Sequence, residues 1–138
     1  MGQIIMLQQK TLDNGIIEIS HVGIFTLEHW LEYKQTMIDL LDASDKKVYI
    51  LSDFSKTERF DKEIVPEAGT APHLTHPNLG LIVLLGGNAL HNFILQITAN
   101  RASKEERDSK MRVHKEYDRA LETLEHFQKI QAENPEAN

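Results

Sequence analysis

Two short runs of uninterrupted apolar residues constrain this chain more than anything else in it. Val48-Tyr49-Ile50-Leu51 passes into Ser52-Asp53-Phe54-Ser55, and Leu79-Gly80-Leu81-Ile82-Val83-Leu84-Leu85 passes into Gly86-Gly87. A strand with one face in water alternates apolar and polar side chains, whereas one that is apolar throughout is buried on both faces. Such strands belong to parallel sheets covered by helices, and those sheets bind ligands at the C-terminal ends of their strands. Asp53–Ser55 and Gly86–Gly87 therefore mark the expected working edge.

The other elements follow from period and punctuation. Ile4–Thr11 and Ile16–His21 read as strands around Asp13-Asn14-Gly15, an Asx-Gly turn that signals an antiparallel hairpin. Thr26 is placed to cap a helix with Leu27, Trp30, Leu31, Met37, Ile38 and Leu41 on its inner stripe, fading around Ala43–Asp45. From Phe54 to Pro77 the pattern is poor: Asp61–Ala68 suggests a short helix limited by Pro66, and Gly69–Pro77 a loop. After the strand 79–85, a helix is expected over Asn88–Ala99, an edge strand at Met111–Lys115, and a last helix capped by Asp118 with Ala120, Leu121, Leu124 and Phe127 inward. The order is β-β-α-β-(α)-β-α-β-α, an α/β fold with a mixed five-stranded sheet: an antiparallel hairpin, then parallel strands joined by crossovers. One domain is expected over residues 1–132, with residues 133–138 a disordered tail.

Composition narrows the function classes. The 138 residues carry a formal charge of −6, which disfavours a general nucleic-acid binder. The stretch Arg101–Arg119 is locally basic, with seven basic residues against five acids, and reads as a solvated surface or a docking face for an acidic partner. No apolar run reaches the roughly 18 residues of a membrane span, so no membrane insertion is expected. No basic-then-apolar stretch opens the chain, so no signal peptide is expected either. The absence of cysteine excludes disulfides, thiolate metal sites and thiol catalysis, and fits a cytoplasmic protein.

This element order, together with VYILSDFS and LGLIVLLGG, resembles the STAS domain of anti-sigma-factor antagonists. It is similar too to the SpoIIAA-like and SEC14-like small bacterial proteins related to them, over roughly Ile4–Gln128. The resemblance implies a module that works by binding. Asp53 and Ser55 match the strand end of that family. Its phosphorylated serine lies a few residues on, in an Asp-Ser-Ser-Gly-type turn; here the chain reads Lys56-Thr57-Glu58-Arg59-Phe60-Asp61. Thr57 is the nearest hydroxyl, and Glu58 and Asp61 would repel a phosphate there. An aspartate ending a central strand is also a feature of response-regulator receivers. Those hold a divalent ion with an acidic pair after the first strand, and this first strand ends in a hairpin turn without one.

The candidate binding residues are Asp53, Ser55, Lys56 and Thr57 on one strand end and Gly86, Gly87, Asn88 and His91 on the other. Free N–H groups after Gly86-Gly87 suit an anion, although the pair lacks dinucleotide and P-loop spacing and serves equally as a tight turn capped by Asn88. Asp53 serves equally as a turn cap through its own backbone. His73-x-x-His76 has no evident third ligand, so no metal or other cofactor is expected. The reading is a non-catalytic module that binds a protein partner or a small ligand, with a homodimer allowed. Two alternatives stand beside it. One is a carrier of an apolar ligand beneath a 54–77 lid bearing Phe54, Phe60, Ile64, Val65 and Leu74. The other is a hydrolase-type enzyme using Ser55, Asp53 and one of His73, His76 or His91.

Overall fold

The computed structural model describes residues 6–64, 76–86 and 110–133. Its elements in chain order are β1 (Met6–Thr11), β2 (Ile17–Phe25), α1 (Leu27–Asp42), β3 (Val48–Asp53), β4 (Thr57–Phe60), β5 (Leu79–Leu85), β6 (Met111–His114) and α2 (Tyr117–Glu133). The sheet order is β1-β2-β3-β5-β6, with β4 paired to β2 off that path. Among the described strands only β1 and β2 run antiparallel, in register from Met6↔Val22 to Thr11↔Ile17, and the other pairs are parallel. This is the expected mixed α/β sheet with its N-terminal hairpin.

The two apolar runs occupy the centre of the sheet as β3 and β5, and both faces of each are buried. Val48 and Ile50 of β3 join Leu79, Ile82 and Leu84 of β5 in the core layer beneath α1. Tyr49 and Leu51 join Leu81, Val83 and Leu85 in the layer beneath α2. A fully buried leucine or isoleucine contributes roughly 1.5–3 kcal/mol, so these strands carry much of the stability.

Local chemistry explains the helix over that first layer. Thr26 Oγ1 accepts the His29 N–H at 3.1 Å, the expected N-cap, and the Ala43 N–H closes the far end on the Asp39 carbonyl at 3.1 Å. The buried face of α1 is His29, Trp30, Tyr33, Met37 and Leu41. Leu31, expected inward, is 47% exposed. It stands two positions from His29, about 200° round a helix of 3.6 residues per turn, so the stripe that buries His29 and Tyr33 turns Leu31 to water.

Four further boundaries differ from expectation. The sheet gains a sixth strand, because β2 continues to Phe25 and β4 pairs with its extension through Gly23↔Thr57, Ile24↔Arg59 and Phe25↔Phe60. The run Thr57-Glu58-Arg59-Phe60 carries too few apolar residues to read as a strand alone. Asp118 lies inside the first turn of α2, where its charge suits the helix dipole, rather than at the cap. That helix also runs through Glu133, the first residue of the expected tail. The helices expected at 61–68, beyond Ile64, and at 88–99 lie outside the described residues, as does 134–138.

Gly80 sets the phase between the two central strands. The ladder pairs Val48 with Leu79 but Tyr49 with Leu81, leaving Gly80 as an extra residue on β5. That slip lets Leu79 and Ile82 share one face although two residues separate them. The Tyr49 ring lies over the gap: a β-carbon on Gly80 would stand 2.5 Å from its Cε1 and 2.6 Å from its Cζ. Gly80→Ala should therefore cost about 1–3 kcal/mol through overpacking, read from urea unfolding. The same change in a Tyr49→Ala background should cost much less, and equal costs in both backgrounds would refute the contact.

Candidate binding edge

At the C-terminal end of β3 the chain must leave β5 and rejoin β2 one step further out. The Phe54 N–H makes the last bond to β5, on the Leu85 carbonyl at 2.7 Å. The Ser55 N–H then donates to Asp53 Oδ1 at 2.9 Å, and the Thr57 N–H to the Phe54 carbonyl at 3.0 Å, which folds 53–57 into an Asx-initiated turn. Gly23, with φ of 102°, bends β2 to meet that turn and donates to the Lys56 carbonyl at 3.2 Å. Thr57 Oγ1 donates to the His21 carbonyl at 2.7 Å, and the Asp61 N–H reaches the Phe25 carbonyl at 2.9 Å.

Each candidate residue thereby acquires a place. Asp53 spends one carboxylate oxygen on its own turn, and Thr57 spends its hydroxyl on the strand, so both shape the edge. Ser55 and Lys56 are exposed at the tip, followed by exposed Glu58 and Arg59 on β4. Gly86 lies at the same edge, its N–H 3.4 Å from the His114 carbonyl, while Gly87, Asn88 and His91 lie outside the described residues.

The histidine of a hydrolase does not come from position 76. His76 Nδ1 accepts the Asn78 N–H at 3.0 Å, so its Nε2 carries the hydrogen that it gives to Asp42 Oδ1 at 2.8 Å. The residue precedes β5, at the opposite end of the sheet from Asp53. The seven residues of β5 span roughly 20 Å. His73 and His91 lie outside the described residues, and among those described no three His, Cys, Asp or Glu side chains gather into a metal site. Of the apolar residues of the expected lid, Phe54 (4% exposed) and Ile64 (0%) belong to the core cluster that includes Phe25, Tyr33 and Met37, and Phe60 packs against it. Val65 and Leu74 lie outside the described residues.

Beneath the tip lies a cluster that the sequence reading did not assemble. The Phe54 ring stacks on the His21 imidazole, with centroids 4.2 Å apart and planes 5° from parallel. His21 Nδ1 is 3.0 Å from His29 Nε2, a hydrogen bond between two buried imidazoles. Tyr33 presents its ring edge to His21 at 4.8 Å and shares a buried hydrogen bond of 2.7 Å with Ser52 Oγ. Phe25 closes the group against His21 and His29. The signal was present in the alternation of β2: Ile19, His21 and Phe25 lie on the α1 side, and the 3.6 period of α1 brings His29 and Tyr33 to meet them.

Burial governs the protonation of this cluster. It holds the His21 imidazole well below its ordinary value near 6.5, with the neighbouring His29 adding to the effect. Burial likewise brings His29 down to about 4. It pushes the Tyr33 phenol up, against a smaller opposing effect of the Ser52 hydrogen bond. On the other face of the sheet, the Tyr117 hydroxyl donates to Glu18 Oε1 at 3.0 Å, and Lys10 Nζ lies 4.0 Å from the same oxygen. The Tyr117 phenol is raised by burial first, then by Glu18 and by the charges of Asp53 and Asp118. A groove of about 620 Å³ lies at the opposite end of the sheet, where Tyr49 meets the hairpin turn and the last turns of α2.

The architecture is that of known proteins. An anti-sigma factor antagonist from Mycobacterium paratuberculosis superimposes with a TM-score of 0.64 at 14% identity, over 88% of this chain and 95% of that one. An uncharacterised protein from Shewanella loihica with a SpoIIAA-like fold superimposes with a TM-score of 0.56, also at 14% identity, over 90% and 98%. The chain has the STAS or SpoIIAA-like fold. No family model matches the sequence, and no curated protein does. Among the described residues no helix is long and apolar enough to cross a membrane.

The buried imidazoles make stability depend on pH with a definite sign. Their folded-state values are depressed, so below about 6.5 the unfolded chain binds protons that the folded chain refuses, and stability falls. The loss should begin near pH 6.5 and continue toward about 4, where folded His29 protonates. Each imidazole adds up to about 1.4 kcal/mol per pH unit. Urea unfolding should show the decline between pH 7 and 5, above the ordinary carboxylate range. A flat profile there would contradict burial of a neutral pair.

Proposed function

We propose that this chain is a non-catalytic regulatory module that binds a protein partner through the edge formed by Asp53–Asp61. The observation that carries the reading is the contrast within that segment. Phe54, Thr57, Phe60 and Ile64 are anchored by core packing or hydrogen bonds, while Ser55, Lys56, Glu58 and Arg59 are exposed between them. Charged and polar side chains held on an anchored turn can be recognised at a reduced ordering cost. The anti-sigma factor antagonist of the same fold supports a regulatory role. The lone described histidine of the hydrolase reading is engaged at the far end of the sheet, which favours binding over catalysis.

The test compares three affinity-tagged proteins in lysate of the source cell: wild type, the edge variant Lys56→Glu/Arg59→Glu, and the control Lys46→Glu/Lys129→Glu. The control makes the same charge change at exposed lysines away from the edge. Wild type and control should recover the same partner in equal amount, and the edge variant at least ten-fold less, with all three unfolding at similar urea concentrations. Equal recovery by the edge variant would overturn the assignment of the surface.

A further inference from the structure

The His21–His29 pair has no satisfied arrangement of its protons. When both rings are neutral, each carries one N–H, and one ring donates to the other across the 3.0 Å contact. Whichever donates, one buried N–H and one buried lone pair remain, on His21 Nε2 and His29 Nδ1, and neither atom has a hydrogen-bond partner among the described residues. An unpaired buried polar atom is destabilising, because it has given up its water without gaining another partner. Adding one proton replaces the bare lone pair with a second buried donor and a charge. Adding two puts N–H against N–H at the contact, so the hydrogen bond must break.

We propose that this pair is an acid-sensitive latch on the Asp53–Asp61 edge: neutral, it holds Phe54 and β4 against the sheet, and protonated, it releases them. The proposal rests on reading that edge as the binding surface and adds how it is regulated. The coupling is direct, because His21 is the stacking partner of Phe54 and its carbonyl accepts the Thr57 hydroxyl. The groups facing the pair are accounted for element by element. From β2 comes the Phe25 ring, and from α1 the Tyr33 phenol. The end of β3 supplies Ser52, through Tyr33, and the Phe54 ring; β4 supplies the Thr57 hydroxyl on the His21 carbonyl. Among the described residues the titratable groups within this box are the two imidazoles and the phenol, while Glu28, Glu58 and Arg59 are exposed. None of the described carboxylates lies inside the box to compensate an imidazolium.

Release should be local. β4 has four residues, three ladder pairs to β2 and no place on the main sheet path, whereas β3 and β5 are paired on both sides and buried on both faces. Segments with few buried contacts open at lower free energy than the core they rest on. Leaving the pocket also lets Phe54 expose the imidazoles to water, where their charge costs little.

The test is amide hydrogen exchange by NMR on the full chain without partner, expressed as protection factors against an unstructured chain at each pH. Between pH 7.5 and 5, protection at the amides of Phe54, Thr57 and Asp61 should fall at least ten-fold further than at Ile50, Leu51 and Val83. In His21→Phe/His29→Leu that differential should vanish. A uniform fall in wild type, or an unchanged differential in the variant, would overturn the latch. Should the variant not fold, long-range ¹H–¹⁵N spectra of the wild-type imidazoles decide. Both rings neutral at pH 6.5, protonating in the range where the edge loses protection, support it; a ring half-protonated at pH 6.5 overturns it. Because no partner is present, failure here leaves the binding surface untouched, while failure of partner capture would remove the regulated binding and leave the acid release of the edge standing.

Discussion

The stack of Phe54 on His21 is the contact on which the turn after β3 and the strand β4 depend. β3 cannot continue along β2, because β2 bends at Gly23, and the chain must cross from one register to the next within three residues. An apolar ring at that crossing has to be buried, and the space available is lined by imidazoles, a phenol and another phenyl ring. Burying Phe54 there fixes the turn above it, and the turn fixes β4. The exposed residues of the turn and of β4 are thus positioned by a side chain that is itself buried.

That arrangement carries a standing cost. A leucine or phenylalanine in place of either imidazole would fill similar space without unpaired ring nitrogens. Buried polar groups held against such a cost are common where a structure has to change state. The surrounding core supplies the stability that tolerates it, through two apolar layers that share β3 and β5 as a common wall.

Much of the fold was legible because its signals are local or strongly periodic. The apolar runs of β3 and β5, the Asx-Gly hairpin and the Thr26 cap each specify structure from a few adjacent residues. β4 was not legible: Thr57-Glu58-Arg59-Phe60 becomes a strand because the extension of β2 offers it an edge, which is a tertiary fact. Gly80 likewise reads as a break in an apolar run, and its meaning appears only when the Tyr49 ring is seen above it. At the edge, Asp53, Ser55 and Thr57 were expected at the end of the central strand and lie there, with different local bonding. Asp53 and Thr57 build the turn and Ser55 is presented by it. His21, His29 and Tyr33 were missed because the pattern that buries them spans a strand and a helix, and each pattern alone admits a histidine on either side.

Phe54 anchors the edge independently of the sheet. Hydrogen exchange of Phe54→Ala at pH 7.5, followed by mass spectrometry, tests this most directly. Peptides covering 54–61 should lose protection by at least ten-fold, while those covering β3 and β5 stay within about two-fold of wild type. Unchanged exchange over 54–61, or loss spread evenly through β3 and β5, would contradict the account.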